Sequence, residues 1–197
     1  MVLQGAAAGH DMTAVVRRGS AVAGLPEHAL LVEVDRIDDP DVLAPAVAGR
    51  NAVLSGLGTR ARRHAGITVP MIRCLLGAMD RADVRRILVI SAAPVRAPHP
   101  DDSLATRRVM WPLISRILRP VYADLREVEE ALSLSGTEWT AVRPPRLVNH
   151  EVTGRYRTAI GENLPHAGTI SRADVAHAML AMVNDPATCR RTVGVAW

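Results

Sequence analysis

Arg17 and Arg18 follow a short apolar run, Met12–Val16, with no acidic residue beside them. At the end of such a strand in a doubly wound sheet, an acid reads the ribose hydroxyls of a dinucleotide. An arginine there suits a 2′-phosphate instead. Asp35 ends the next apolar run, Ala29–Val34, where it could accept from an adenine amino group or cap the following turn. Gly56-Leu57-Gly58-Thr59-Arg60 follows the run Ala52–Ser55. Gly56 and Gly58 let the backbone approach a ligand closely, or form a plain turn. Ser91 closes Arg86–Ser91 and could hydrogen-bond a substrate or a carboxamide, or satisfy a strand end. Pro144-Pro145-Arg146 follows Trp139–Arg143. All these positions lie past the carboxyl ends of strands, where open α/β sheets bind ligands.

The missing residue types are as informative. All 24 basic residues are arginine and none is lysine. A Tyr-x-x-x-Lys acid pair, in which the ammonium lowers the tyrosine pKa, is therefore excluded. Tyr122 is followed four places on by Arg126, which can supply charge but does not deprotonate. Tyr122 reads as a packing residue. His10, His64, His99, His150 and His166 fall in turns or loops without metal-helix spacing, and His177 reads as structural. No Gly-x-Ser-x-Gly elbow is present. Cys74 and Cys189 are in no redox or metal spacing, and Cys74 sits in an apolar helical stretch as a buried thiol.

The elements that must position these residues alternate in type. Runs such as Ile87-Leu88-Val89-Ile90 are apolar on both faces, as buried parallel strands are. Helical patterns fall near Asp41–Val47, Ile67–Arg81 and Asp124–Ser133. Asp39-Pro40 supplies a cap and a first-turn proline, and Ser171-Arg172-Ala173-Asp174 opens a further helix. Ala93–Asp102, rich in proline and aspartate, reads as a mobile loop. After Pro144-Pro145 the strands shorten, Arg155–Ile160 being the clearest. The pattern is α/β, a doubly wound parallel sheet, and residues 1–197 read as one domain.

The front of that sheet is missing. A glycine fingerprint lies roughly 20 residues before the ribose-reading position, which puts it at or before Met1. The expected sheet lacks the usual first strand and glycine-rich turn, as a truncated reading of a longer protein would. The unpaired edges raise homodimerisation as an expectation.

Five segments taken together resemble a known family: GHDMTAVVR (Gly9–Arg17), AVLSGLGTR (Ala52–Arg60), RILVISA (Arg86–Ala92), SGTEWTAVRPP (Ser135–Pro145) and TISRADVAHAML (Thr169–Leu180). The chain resembles the atypical short-chain dehydrogenase/reductases of the NAD(P)H-binding, NmrA-like group, most of all the flavin reductase/biliverdin reductase B family. That resemblance implies a Rossmann-like fold and NADP as cofactor. It implies Arg17 by the 2′-phosphate with Arg18 next to it, and Asp35 by the adenine. It places Leu57, Gly58 and Arg60 along the cofactor, Ser91 near nicotinamide and substrate, and Pro144 after the sixth strand. The chain departs from its relatives in lacking the glycine-rich turn, and in having Leu125 and Arg146 where some relatives have histidines.

The expected function is NADP-dependent reduction of a flavin, quinone or small carbonyl, with Ser91 as the residue at the reaction. The alternative is a non-catalytic or non-redox member: a dinucleotide sensor, or a lyase, isomerase or cyclase reusing the pocket. A small-molecule substrate is the expected partner. Nucleic acid is not expected, because stacking aromatics are almost absent. No membrane partner is expected either, because no apolar run reaches the ~18 residues of a span. No metal site is expected, and the setting reads as cytoplasmic.

Overall fold

The computed structural model describes residues 1–20, 24–57 and 66–197. The first two strands, β1 (Thr13–Arg17) and β2 (Leu30–Val34), pair in parallel with Thr13 opposite Leu30 and Arg17 opposite Val34. A larger sheet runs in the order β3 (Ala52–Ser55), β4 (Arg86–Ile90), β5 (Glu138–Arg143), β9 (Arg191–Ala196), β7 (Arg157–Ile160). It is parallel except for β7, which runs antiparallel to β9. Two short strands, β6 (Arg146–Val148) and β8 (Thr169–Ser171), form a separate parallel pair. Among the described residues no strand bridges β1 and β3, as expected of a sheet without its usual first strand.

One apolar cluster nevertheless spans both sheet pieces. Val34 of β2 joins Ile87 and Val89 of β4 and Ala141 of β5, with Val15 and Val53 packed alongside. Helices α2 (Pro40–Val47) and α3 (Thr68–Arg81) supply Leu43, Val47, Ile72 and Met79 to it. Asp39 caps α2 by accepting from the Asp41 amide, with Pro40 in the first turn, as the sequence indicates. Cys74 is buried in the same cluster and both thiols are free. Helix α1 (Val2–Ala7) precedes Gly9, whose φ of 83° makes the turn into β1.

Two sequence expectations change. The helix expected over Asp124–Ser133 is the second half of a longer helical stretch. A π-helical turn (Thr106–Met110) leads into α4 (Trp111–Ile117), and then α5 runs from Arg119 to Leu134. Pro112 and Pro120 sit in the first turns of α4 and α5, where a missing amide costs nothing. Both serve as helix starts. The segment Ala93–Asp102 is pinned at several points. The buried Asn163 amide donates to the carbonyls of Ala93 and Ala97, both at 3.0 Å. Asp102 accepts from the backbone amides of His99 and His166.

Helix α6 (Arg172–Ala181) carries two polar anchors. At its C-terminal side the buried Arg86 guanidinium donates to the carbonyls of Met182, Val183 and Glu138 and to the hydroxyls of Thr140 and Thr188. Carbonyls at a helix C-terminus favour a cation. At its start, the Asp174 amide donates to Ser171 Oγ at 2.8 Å, the cap expected from the sequence. The fully buried Asp174 carboxylate in turn accepts four hydrogen bonds. They come from the Thr153 and Gly154 amides, the Thr153 hydroxyl and the Trp197 indole, at 2.8–2.9 Å. Burial by itself would raise the Asp174 pKa. The bonds from Trp197, Thr153 and Gly154 outweigh it and hold the carboxyl well below the usual carboxylate range.

This network generates a stability prediction. Asp174→Asn keeps one acceptor oxygen and turns an amide NH₂ toward donors. It should lower the unfolding free energy by about 3 kcal/mol near neutral pH, since bonds to charged groups contribute about 1.5–3 kcal/mol each. The native pKa is depressed, so the stabilisation is full above the unfolded value of about 3.9 and fades as pH falls below it. Urea melts of the two proteins should converge toward acid. A gap of constant size between about pH 7 and about pH 2 would refute the assignment.

Candidate active site

A cleft of about 430 Å³ opens beyond the carboxyl ends of β3 and β4. Gly56, Leu57, Ile90 and Ser91 form its sheet side. Val121 and Leu125 of α5, Leu147 of β6, and Arg172, Val175 and Ala176 of α6 close it, with Met1 at one wall. Apart from Ser91 and Arg172 the lining side chains are apolar, so the cleft suits a flat or aliphatic group held by a few polar contacts. Gly56 presents bare backbone, and a Cβ there would meet the Met1 methyl at 3.7 Å.

Ser91 is set with unusual firmness for a residue at a strand end. Its amide donates to Val142 O at 2.7 Å, and its hydroxyl donates to Glu129 Oε1 at 2.6 Å. Glu129 comes from α5, and both of its oxygens accept from the Arg143 guanidinium at the end of β5. The Glu129 and Arg143 side chains are about nine-tenths buried. A carboxylate held there by a bidentate arginine is a strong acceptor. The Ser91 proton therefore points at Glu129, and the lone pairs of Ser91 Oγ are what it can offer a ligand. Such a hydroxyl accepts from an N–H or O–H group; it does not hand over its own proton. Arg143 Nη1 is buried with no hydrogen-bond partner among the described residues.

The other candidates divide between the two sheet pieces. Arg17 ends β1, is exposed, and makes no side-chain hydrogen bond among the described residues. Arg18 Nε donates to Asp35 Oδ1 at 2.6 Å in an exposed ion pair. This contact brings the ends of β1 and β2 together and occupies one oxygen of Asp35. Exposed pairs of this kind contribute little to stability, and a ligand can displace them. Leu57 is half-buried against the main core, with its amide donating to Ser55 Oγ at 3.3 Å. Gly58 and Arg60 lie outside the described residues. Pro144 is buried outside the cleft lining, and its carbonyl accepts from the Ala93 amide at 2.9 Å.

Tyr122 packs with Val95 and Leu125 in a small buried cluster, as the sequence suggests for a packing residue. Burial raises its pKa. Arg126 Nε donates to Val95 O at 3.2 Å.

Sequence reasoning missed Glu129 and Arg143. A signal existed for the first. Tyr122, Leu125, Glu129 and Leu132 share one phase of α5, and the other three are buried apolar residues. A carboxylate in that phase has to find a partner. Nothing local marks Arg143, the last residue of a strand that is buried from Trp139 onward.

Solved structures share this architecture. A protein of Burkholderia pseudomallei matches with a TM-score of 0.77 at 23% identity, over 100% of this chain and 92% of that one. A short-chain dehydrogenase/reductase of Veillonella parvula, solved in complex with NADP, matches with a TM-score of 0.67 at 19% identity, over 87% and 74%. ChuY, an anaerobilin reductase from Escherichia coli O157:H7, matches with a TM-score of 0.72 at 19% identity, over 98% and 88%. At these identities the likeness establishes the Rossmann-type fold. A family model described as NAD(P)H-binding matches residues 1–186, and the chain belongs to that NAD(P)H-binding family.

Proposed function

We propose that the protein is an NADP-dependent reductase of the atypical short-chain dehydrogenase type, acting on a flavin, a quinone or a small carbonyl compound. The observation that carries this reading is the cleft itself. It places an oriented, buried Ser91 between bare backbone at Gly56 and an apolar wall, at the carboxyl ends of adjacent parallel strands. Arg17, which makes no side-chain hydrogen bond among the described residues, ends the strand at which a dinucleotide's ribose is read. The donor set fits NADP: a guanidinium for the 2′-phosphate, Asp35 for an adenine amino group, Gly56 and Leu57 along the chain of the cofactor, and Ser91 as acceptor for the carboxamide. The family match and the NADP-bound structural neighbour support this choice. When bound, the cofactor supplies a hydride. The protein's contribution is to orient the two reactants and to exclude water from the apolar cleft.

A second reading rests on one feature. Among the described residues no lining side chain of the cleft is suited to give a proton, since Ser91 is committed to Glu129 and Arg172 does not deprotonate. A dinucleotide sensor or a non-redox enzyme needs no such group. Neither does reduction of a flavin, whose protons can come from water, and this favours flavin over carbonyl substrates. Titration of NADPH and NADH against the protein, followed by NADPH oxidation with flavin, quinone and carbonyl acceptors, separates these readings. Binding without turnover of any acceptor would overturn the reductase assignment.

Arg17→Ala should weaken NADPH by about 10–100-fold, the equivalent of one charge-assisted contact, and leave NADH nearly unchanged. Equal loss for both cofactors, or a native preference for NADH, would refute the role of Arg17.

Within the same reading, Ser91→Ala should lose roughly tenfold in kcat/KM, about 1.4 kcal/mol for one positioning hydrogen bond. Tyr122→Phe should keep most of the activity, because Tyr122 is not among the residues that line the cleft. Steady-state kinetics on both variants is the check, and abolition of turnover by Tyr122→Phe would show that the acid has been misassigned.

A further inference from the structure

The helical arm from Leu104 to Ile117 contributes no side chain to the buried core. Only Ile114 and Leu118 pack inward, against the small cluster of Val95, Tyr122 and Leu125. The adjoining face is apolar and open. Val109, Leu113 and Ile117 recur at a spacing of four residues and lie 63%, 53% and 42% exposed, with Met110 beside them at 51%. Residues at that spacing share one helix face. Arg107, Arg108, Arg116 and Arg119 stand along the same stretch, all exposed, and no acidic residue occurs from Ser103 to Ala123. An open apolar stripe of this length marks an interaction surface.

We propose that this arm docks the protein onto an anionic lipid surface, lying in the interface with its apolar stripe inserted. Charge complementarity selects that occupant. Arg108, Arg116 and Arg119, with no acid among them, match a plane of phosphate headgroups, while Arg107 donates to the Pro100 carbonyl at 3.0 Å. The apolar stripe matches the boundary of the acyl chains. A second copy of the chain would set arginine rows against each other, which costs free energy when the charges are directly opposed. No helix among the described residues is long and apolar enough to cross a membrane, so the mode is adsorption. Ile114 and Leu118 fix the arm against the cluster that includes Leu125, a lining residue of the cleft. The docked face is thereby joined to one wall of the active site.

The test is flotation of the full chain with vesicles of phosphatidylcholine alone and of phosphatidylcholine mixed with phosphatidylglycerol. Binding is expected to the mixed vesicles only, and to weaken as salt is raised. The Arg108→Gln/Arg116→Gln double variant should bind the mixed vesicles at least tenfold more weakly, from about fivefold per basic residue near the surface. Leu113→Asp should abolish binding. Both variants alter exposed side chains, so circular dichroism and NADPH titration should match the wild type. Failure to float with mixed vesicles, equal binding to neutral vesicles, or a concentration-dependent dimer abolished by Leu113→Asp would each overturn the proposal. None of these outcomes depends on the assigned reductase activity.

Discussion

The main apolar cluster is the constraint on which everything else rests. Two sheet pieces that exchange no strand hydrogen bonds among the described residues are held in one body because Val34, Ile87, Val89 and Ala141 bury against the same helices. Strand hydrogen bonding gives each piece its internal register. Among the described residues the relation between the pieces comes from apolar burial, at roughly 25 cal/mol per Å² of apolar surface removed from water, with the Gln4 side chain of α1 donating to the Ala173 carbonyl of α6 beside it. The consequence for function is direct. Arg17, Arg18 and Asp35 belong to the smaller piece, and Gly56 and Ser91 to the larger. A ligand that contacts both is read by groups whose separation is set by packing, through Val15 and Val32 on one side and Val53 and Leu57 on the other.

An all-arginine basic set shapes the polar interior. Burying a charge is costly unless each of its donors is met. Arg86 meets the demand with carbonyls and threonine hydroxyls at the end of α6. Arg143 meets it only in part: Nε and Nη2 donate to the Glu129 carboxylate, and Nη1 has no partner among the described residues. Both placements use the planar fork of a guanidinium, which an ammonium lacks. The Glu129–Arg143 pair lies behind Ser91 and fixes the direction of its hydroxyl.

Much of this was legible in the chain, and the unread part has a common cause. Ala52–Ser55 matches β3 end to end. The run Ile87–Ile90 falls inside β4, because strands buried on both faces are continuous apolar runs. Asp39 and Ser171 cap their helices because capping is a local event three residues long. The missing link between β1 and β3 followed from counting back from Arg17. What escaped was long-range. Ser91 was readable as a candidate, but its partner is 38 residues away on α5. The Ala93–Asp102 segment has the composition of a loose loop, yet the side chain that pins it, Asn163, is 66 to 70 residues distant. β9 escaped too. Its middle residue, Gly194, reads as a strand breaker. It is required because a Cβ there would fall 2.7 Å from Glu162 O.

The fate of the tyrosine narrows the chemistry. In a site that transfers a hydride to a carbonyl, the developing alkoxide needs a proton donor within reach, and a tyrosine serves only when a neighbouring cation lowers its pKa. Here both conditions fail together. Tyr122 packs into the Val95–Leu125 cluster, where burial raises its pKa, and the cation four residues on spends its Nε donor on the Val95 carbonyl. Arg126 replaces the charge of a lysine but not its position or its ability to exchange a proton. A flavin or quinone spreads the added electrons over a conjugated ring and takes its protons from solvent, so it makes no such demand on the protein. The same features that rule out the tyrosine–lysine chemistry leave a site able to do its work by orientation and water exclusion. An apolar cleft with one oriented oxygen supplies both.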